Sequence, residues 1–147
     1  MKASTSVRKE RLSLNNNTQE RLTAAELDIM LCLWKYTQPV RTARLLEDLQ
    51  PVHSWTLSTL KVLLGRLEEK GYVQVTRQGR FTLYQPLVAE AEYRRRETGG
   101  LLHRFFGGSP QKLVASLVED GSLTGEDIAA LEAILRKARE DHADENL

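Results

Sequence analysis

The stretch WTLSTLKVLLGRLEEKG at residues 55–71, followed by YVQVTRQGRFTLYQP at 72–86, decides the fold of this chain. At about 100° per residue, the first part places its leucines on one side of a helix and small or basic residues on the other. Thr56 is a suitable N-cap, and Gly71 suits the left-handed turn that ends many helices. The second part alternates apolar and polar residues around a Gln-Gly pair at 78–79, which fits a two-residue hairpin turn. The side chains predicted to be buried are Leu60, Leu63, Leu64 and Leu67 in the helix, and Val73, Val75, Phe81 and Leu83 in the hairpin.

Two helices are predicted before this stretch. Thr23 and Glu26 have the spacing of a capping box, which opens a first helix. A short strand at 40–42 and a second helix to about Gln50 follow, and Thr42 is the predicted N-cap of that helix. Helix, short strand, helix, helix and hairpin, in that order, are typical of a winged helix-turn-helix. The inward residues are predicted to be Leu27, Met30, Leu31 and Trp34 in the first helix, and Leu45, Leu46 and Leu49 in the second.

Residues 87–140 are predicted to form short amphipathic helices. Such helices have little core of their own, so we expect them to bury their apolar sides against a second copy of the chain. Residues 1–22 lack periodicity and are interpreted as a flexible arm, and residues 141–147 as an acidic tail. The predicted fold class is mainly α with a small antiparallel β wing, in which a winged helix-turn-helix domain at 23–86 precedes a C-terminal helical dimerisation region. The residues assigned to the dimer interface are Leu101, Leu102, Phe105, Phe106, Leu113, Leu117, Ile128, Leu131, Ile134 and Leu135.

The charge of the chain is unevenly distributed, although its net value is only +1. Residues 1–22 carry five basic and two acidic side chains, residues 23–86 carry eight and six, and residues 119–147 carry three and nine. A nucleic acid is attracted to the first two segments and repelled by the last. The near-neutral sum therefore does not argue against nucleic-acid binding.

Other function classes have little support in the sequence. The single Cys32 excludes an intrachain disulfide and fits a reducing compartment, and no apolar run approaches the roughly 20 residues that span a bilayer. We therefore expect a cytoplasmic protein without direct membrane binding. The three histidines show no metal spacing, and neither a phosphate loop nor a nucleophile elbow is present. The chain is predicted to have no catalytic residues, no metal and no cofactor, and not to be an enzyme.

The outward side of the helix at 57–70 has the shape that a DNA major groove requires. The groove is about 12 Å wide and admits a helix only if the outer side of that helix is slim. Ser58 and Thr59 offer hydroxyl groups to bases or phosphates, and the methyl groups of Val62 fit a thymine methyl. These residues predict a recognition helix.

Basic side chains surround this slim side and extend to the hairpin. Arg66 is long enough to reach a phosphate or a guanine edge, and Lys61 lies more laterally, at the angle of a backbone phosphate. Arg77 and Arg80 flank the predicted hairpin tip, where long cations straddle a DNA strand or enter the minor groove. The whole arrangement predicts sequence-specific binding to double-stranded DNA.

Six blocks of the chain, from about Thr23 to about Leu135, resemble the penicillinase-repressor family of bacterial winged-helix repressors. The blocks are LTAAELDIMLCLW at 22–34, W-T-x-x-T at 55–59, LLGRLEEKGYV at 63–73, YQPLVAEAEY at 84–93, LLHRFFGGS at 101–109 and LTGEDIAALEAIL at 123–135. Each block alone is weak, but their order and spacing together are specific. The resemblance implies an N-terminal winged helix, a C-terminal dimerisation region, and a homodimer that sits on an inverted-repeat operator and blocks transcription.

The resemblance also assigns individual residues. The family's DNA-contacting positions around the recognition helix correspond to Trp55, Thr56, Thr59, Lys61 and Arg66. Two other positions depart from the commonest pattern of the family. Ser58 stands where a long basic residue is frequent, and Val62 stands where a second threonine is usual, so the operator sequence is not implied.

In antibiotic-responsive members of the resembled family, a membrane-bound zinc protease sensor ends repression by cutting an Asn-Phe bond early in the C-terminal region. The matching position in this chain is Gly100-Leu101, which is a different pair, so cleavage there is a hypothesis. The copper-responsive branch of the family uses paired C-x-C motifs. A chain whose only cysteine is Cys32 lacks that chemistry.

Two alternative functions are left open by the sequence. In the first alternative, the winged helix binds another protein. This alternative predicts large exposed apolar residues on the outer side of the helix at 57–70, and Val62 is the only apolar residue there. The second is a DNA-binding regulator that responds to a small ligand bound beside the dimer interface. Phe105 and Phe106 are the only aromatic pair that suggests such a pocket.

Overall fold

The computed structural model describes residues 20–145 of the 147-residue chain. Most of the predicted arm, residues 1–19, and the last two residues lie outside this range. The helices are α1 (Ala24–Leu33), α2 (Thr42–Leu49), α3 (Leu57–Glu69), α4 (Glu90–Phe106), α5 (Pro110–Glu119) and α6 (Gly125–Glu145), and the strands are β1 (Val40–Arg41), β2 (Val73–Gln78) and β3 (Phe81–Pro86). The predicted class, mainly α with a small antiparallel sheet, is confirmed.

Helix α1 begins at the predicted capping box. Thr23 Oγ1 accepts a hydrogen bond from the Glu26 amide at 3.2 Å, and the Glu26 carboxylate accepts one from the Thr23 amide at 2.8 Å. The prediction that Leu31 faces the core is wrong, because its side chain is 42% exposed. Leu31 lies about 200° around the helix from both Ile29 and Leu33, which are fully buried. The core therefore contacts the opposite side of α1.

Helices α2 and α3 have the predicted inward leucines. Leu45 and Leu49 are buried in α2, as are Leu60, Leu63, Leu64 and Leu67 in α3. Thr42 is the first residue of α2 and not its N-cap, because Arg41 keeps the extended conformation of β1 and occupies the cap position. Gly71 ends the α3 segment with a φ of 84°, as predicted.

The strands form one antiparallel sheet in the order β1-β3-β2. Gln78 pairs with Phe81, so the two turn residues are Gly79 and Arg80 and not the predicted Gln78 and Gly79. Gly79 has a φ of 63°, a conformation that glycine adopts without steric cost. The hairpin is therefore shifted by one residue relative to the prediction.

The observed pairing also shows which side chains of β3 face the core, because residues paired directly across two strands lie on the same face of the sheet. Val75 pairs with Tyr84, which is buried, whereas Phe81, predicted to be buried, is 45% exposed. Leu83, the other predicted core residue of β3, is only partly buried and pairs with Arg41. The Arg41 guanidinium lies over the Phe81 ring, 3.9 Å from its centroid, in a cation–π contact.

The core of the winged helix continues beyond Pro86. Val88 and Tyr93 are 7% and 8% exposed and belong to the same apolar cluster as the leucines of α3. The Trp34 indole N–H donates to the Val88 carbonyl oxygen at 2.9 Å, and its ring centroid lies 5.8 Å from that of Tyr93. The first turn of α4 thus packs with the helices that precede it.

The chain divides into two compact units, one ending at Arg96 and one beginning at Glu97. In the second unit, Gly107 and Gly108 break the helices with φ values of 55° and 82°. No described residue of α5 or α6 is buried. Across residues 20–145, no helix combines the length and apolar character needed to cross a membrane.

Candidate nucleic-acid interface

Three hydroxyl side chains gather at the N-terminus of α3. Thr56 Oγ1 accepts a hydrogen bond from the Thr59 amide at 3.2 Å and donates to Thr59 Oγ1 at 3.1 Å. Ser58 Oγ lies 3.2 Å from the same Thr56 oxygen. All three residues are exposed. Hydroxyl groups at the positive end of a helix dipole favour an anion such as a phosphate.

The outward side of α3 is slim along its length, as the sequence predicts. The exposed residues of α3 nearest this side are Ser58, Thr59, Lys61, Val62, Gly65 and Arg66. They lie opposite the buried leucines. The Val62 side chain is 56% exposed, and Leu57, which the prediction did not single out, is 44% exposed. This side can therefore approach a groove closely, with methyl groups as well as polar atoms.

Four basic side chains of this region form no ion pair with any described acidic residue. Within residues 20–145, no carboxylate oxygen lies within 4.0 Å of the charged nitrogens of Lys61, Arg66, Arg77 or Arg80. Other basic residues of the chain do form ion pairs, among them Arg44, Lys70, Arg94 and Arg96. Four uncompensated cations on α3 and the hairpin create a local positive field that the net charge of the chain does not reveal.

The hairpin places its two arginines differently from the prediction. Arg80 lies in the two-residue turn itself, and Arg77 pairs with Thr82 on the adjacent strand. Both arginines are exposed. Arg80 is therefore at the tip of the wing and Arg77 is on its flank. Contrary to the sequence prediction, the two arginines do not flank the turn from its two sides.

A groove of about 480 Å³ lies between α3 and the hairpin. Helix α3 lines it with Lys61, Leu64, Gly65 and Glu68, and the strands line it with Val75, Arg77, Thr82 and Tyr84. Burial raises the pKa of the Tyr84 hydroxyl, so this group is neutral at physiological pH. The groove thus offers two cations, one carboxylate and two neutral hydroxyl groups.

Among the residues predicted to contact DNA, Trp55 alone is partly buried. It is half-buried, and its ring stacks on the His53 ring with centroids 3.9 Å apart and planes inclined by 6°. His53 Nε2 in turn lies 2.7 Å from a carboxylate oxygen of Asp28. Sequence reasoning missed this arrangement because Asp28 is 25 residues away on α1 and no local pattern links it to His53.

A buried ion pair connects the start of α1 to the end of α3. Lys70 Nζ lies 2.7 Å from Glu26 Oε1 and 3.3 Å from the Arg21 carbonyl oxygen. Burial raises the pKa of the Glu26 carboxyl, but hydrogen bonds from Lys70 and Thr23 outweigh burial, and the net pKa lies below its ordinary value of 4.5. The end of α3 is thus held to α1 by an ionised pair as well as by its leucines.

A second polar network joins α1 to α2. The Tyr36 hydroxyl and the Cys32 thiol both donate to the Asp48 carboxylate, and the Arg44 guanidinium lies 3.5 Å from its other oxygen. Burial, with a smaller contribution from the Asp48 charge, raises the pKa of the Cys32 thiol. Cys32 therefore packs as a neutral thiol. Across residues 20–145, no group of three or more histidine, cysteine or acidic residues is arranged to hold a metal ion.

The residues assigned to dimerisation lie on α4, α5 and α6. Of these, Leu102, Phe106, Leu113, Leu117 and Leu131 are half-buried, and Leu101, Phe105, Ile128, Ile134 and Leu135 are exposed. Their exposure reaches 69% at Phe105 and 66% at Leu135. The predicted cleavage position, Gly100-Leu101, lies inside α4, so its peptide bond is part of a helix.

The fold and its outward, cation-bearing recognition helix define a DNA-binding protein of the winged helix-turn-helix class. The penicillinase repressor family matches residues 22–137. A penicillinase repressor of Bacillus licheniformis is 30% identical over 113 residues, which cover 77% of this chain and 88% of that protein. The methicillin resistance regulatory protein MecI of Staphylococcus aureus strain N315 is 26% identical over 126 residues, which cover 84% and 99%. A solution structure of the monomeric form of Bacillus licheniformis BlaI in complex with the blaP half-operator is 28% identical, covers 52% of this chain and 92% of that one, and has a TM-score of 0.45.

The chain belongs to the penicillinase repressor family. Membership of this family makes it a DNA-binding transcriptional repressor and not an enzyme. The resemblance drawn from the sequence blocks is confirmed. The roles of the individual residues on α3, the hairpin and α4–α6 stay predictions.

Proposed function

We propose that this protein is a homodimeric, cytoplasmic repressor that binds a pseudo-palindromic operator. In each protomer, α3 lies in the major groove and the β2–β3 hairpin contacts the flanking backbone. One observation carries the proposal: a slim and exposed side of α3 stands beside four cations that have no carboxylate partner within residues 20–145. Bringing such a surface against phosphate breaks no ion pair between described residues and releases counterions from DNA.

The proposed roles differ between residues. Thr56, Ser58 and Thr59 offer hydroxyl groups to phosphates or bases, and Val62 offers methyl groups to a thymine. Arg66 reaches a phosphate or a guanine edge. The cations of the flanks, Lys61, Arg77 and Arg80, bind backbone phosphates, and Trp55 adds an aromatic edge beside the N-terminus of α3.

Dimerisation is proposed from the second unit. Helices α5 and α6 have no buried residue of their own, yet they carry exposed large apolar side chains such as Ile134 and Leu135, at 62% and 66% exposure. Exposed large apolar side chains are typical of a protein–protein interaction site when they form one patch. Two-fold pairing of these helices covers it, and symmetry then demands operator half-sites about one helical turn apart or a multiple of it.

The experiment is a gel shift on DNA from the protein's own locus at about 0.15 M salt. The protein is expected to prefer one fragment over scrambled DNA. Arg66→Ala should weaken binding, whereas Val62→Thr should change base preference more than overall affinity. Equal affinity for scrambled DNA contradicts the proposal, and equal effects of both variants on all sequences contradict the placement of α3 in the major groove.

We further propose that repression ends by proteolysis at Gly100-Leu101, through a membrane-bound metalloprotease partner. Because this bond lies inside α4, a protease must first unwind the helix locally. The two adjacent glycines, Gly99 and Gly100, lower the cost of that opening. Co-expression with a membrane metalloprotease encoded beside the gene should yield a fragment ending at Gly100 by mass spectrometry, and an intact chain under inducing conditions contradicts the proposal.

A further inference from the structure

Gly65 lies in the middle of α3, where glycine is the least favourable residue after proline. Neither backbone nor packing requires it. Gly65 is not among the glycines with positive φ, and a Cβ atom added to it meets no atom within 4 Å. An alanine therefore fits at this position and stabilises the helix, so the fold alone does not explain why glycine is present.

The groove between α3 and the hairpin supplies the second observation. Lys61 lines this groove from α3 and Arg77 lines it from β2, so one cation stands on each of its two sides. Gly65 lines the α3 side as well, between Lys61 and Glu68. Neither cation has a carboxylate within 4.0 Å in the described part of the chain. The single carboxylate of the groove, that of Glu68, lies one turn beyond Gly65 along the helix.

We propose that this groove seats one sugar-phosphate strand of the bound duplex, and that the absence of a side chain at Gly65 allows the strand to approach α3 closely. This inference rests on the proposed DNA binding. Lys61 and Arg77 neutralise the phosphate from opposite sides, because each belongs to a different element. Glu68 repels a further phosphate, which fixes where along α3 the strand lies. Glycine serves the same purpose wherever a backbone and a ligand must come close together.

The test compares Gly65→Ala with a matched control, Gly99→Ala. Gly99 is also an exposed glycine inside a helix, and an added Cβ atom at Gly99 likewise meets nothing within 4 Å. Both substitutions should raise the melting temperature by a few degrees, because alanine favours the helix over glycine. Only Gly65→Ala should weaken DNA binding, by about tenfold, and Gly65→Val should weaken it further.

The loss should also be the same for operator and non-specific DNA, because a phosphate contact carries no sequence information. Affinity is measured by fluorescence anisotropy with labelled operator and scrambled duplexes at several salt concentrations. Unchanged affinity of Gly65→Ala overturns the inference. A loss confined to certain base pairs also overturns it, because Gly65 then faces a base edge. If the wild type and Gly99→Ala bind no DNA, the DNA-binding function fails and this inference fails with it.

Discussion

Replacing Lys70 with methionine tests whether the buried ion pair holds α3, the proposed recognition helix, to α1. Methionine keeps the apolar length of the side chain but removes the ammonium that lies 2.7 Å from Glu26 Oε1. The Glu26 side chain is 1% exposed, and its second carboxylate oxygen, Oε2, is buried without a hydrogen-bond partner. The substitution therefore leaves a buried negative charge with only the amide of Thr23 to stabilise it.

The expected loss of stability follows from the burial of Glu26, whose side chain is 1% exposed. Removing one partner of a buried ion pair typically costs about 3–5 kcal/mol, because the remaining charge is not compensated. A domain of this size has a total stability of about 5–15 kcal/mol, so the loss is a large fraction of it. Glu26→Gln should cost less, because Lys70 is 17% exposed and keeps the Arg21 carbonyl oxygen as an acceptor. The double variant should recover much of the loss of Lys70→Met.

The pH dependence gives a second test of the same pair. In the folded wild type the pKa of Glu26 is lowered, so its contribution is fully present above the unfolded value near 4.5 and is lost as pH falls through the folded pKa. In Lys70→Met, burial acts without the ammonium, so Glu26 becomes protonated at higher pH. Urea unfolding at pH 7 and pH 4 should therefore show a smaller difference between variant and wild type at pH 4. A loss below about 1 kcal/mol that does not change with pH refutes the reasoning.

Three further outcomes are expected. Asp28→Asn and His53→Ala should each lower operator affinity several-fold, because they release the Trp55 ring. The free energy of unfolding should change by about 1 kcal/mol or less, because the His53–Asp28 pair is partly exposed. Equal operator affinity of the variants and the wild type contradicts a positioning role for this pair. Thr124 Oγ1 accepts a hydrogen bond from the Asp127 amide at 3.1 Å and so caps α6; Thr124→Ala should therefore cost about 0.5–2 kcal/mol, read from circular dichroism during urea unfolding. A chain ending at Arg96 should sediment as a folded monomer with weak half-site binding, whereas a dimer of this fragment would contradict the assignment of dimerisation to the second unit.

Much of the fold follows from local patterns that the sequence displays directly. The capping box at Thr23 and the inward leucines of α3 each depend on residues three or four positions apart, and the sequence predicts both. The hairpin turn was placed one residue too early, because a Gln-Gly pair and a Gly-Arg pair both satisfy a two-residue turn with glycine. Pairing of β3 with β1 through Val40 and Tyr84 contributes to the register, and this contact joins residues far apart in the sequence.

The candidate site was predictable where it depends on helical spacing and not where it depends on distant contacts. The exposure of Ser58, Val62 and Arg66 on one side of α3 follows from about 100° of rotation per residue. The His53 ring, which stacks on Trp55, also contacts Asp28, and this contact joins the segment before α3 to α1, so no helical spacing reveals it. The same holds for the pairing of Lys70 with Glu26.

The protonated state of the Cys32 sulfur has a practical consequence for spectroscopy. Maleimides and iodoacetamides react with thiolates, and Cys32 is only 7% exposed and its raised pKa keeps the thiol neutral. A cysteine introduced at an exposed position, such as the tip of the wing, should therefore accept a fluorophore or spin label while the native sulfur stays unmodified. In the proposed dimer, distances between labelled protomers are then measurable without first removing the natural residue.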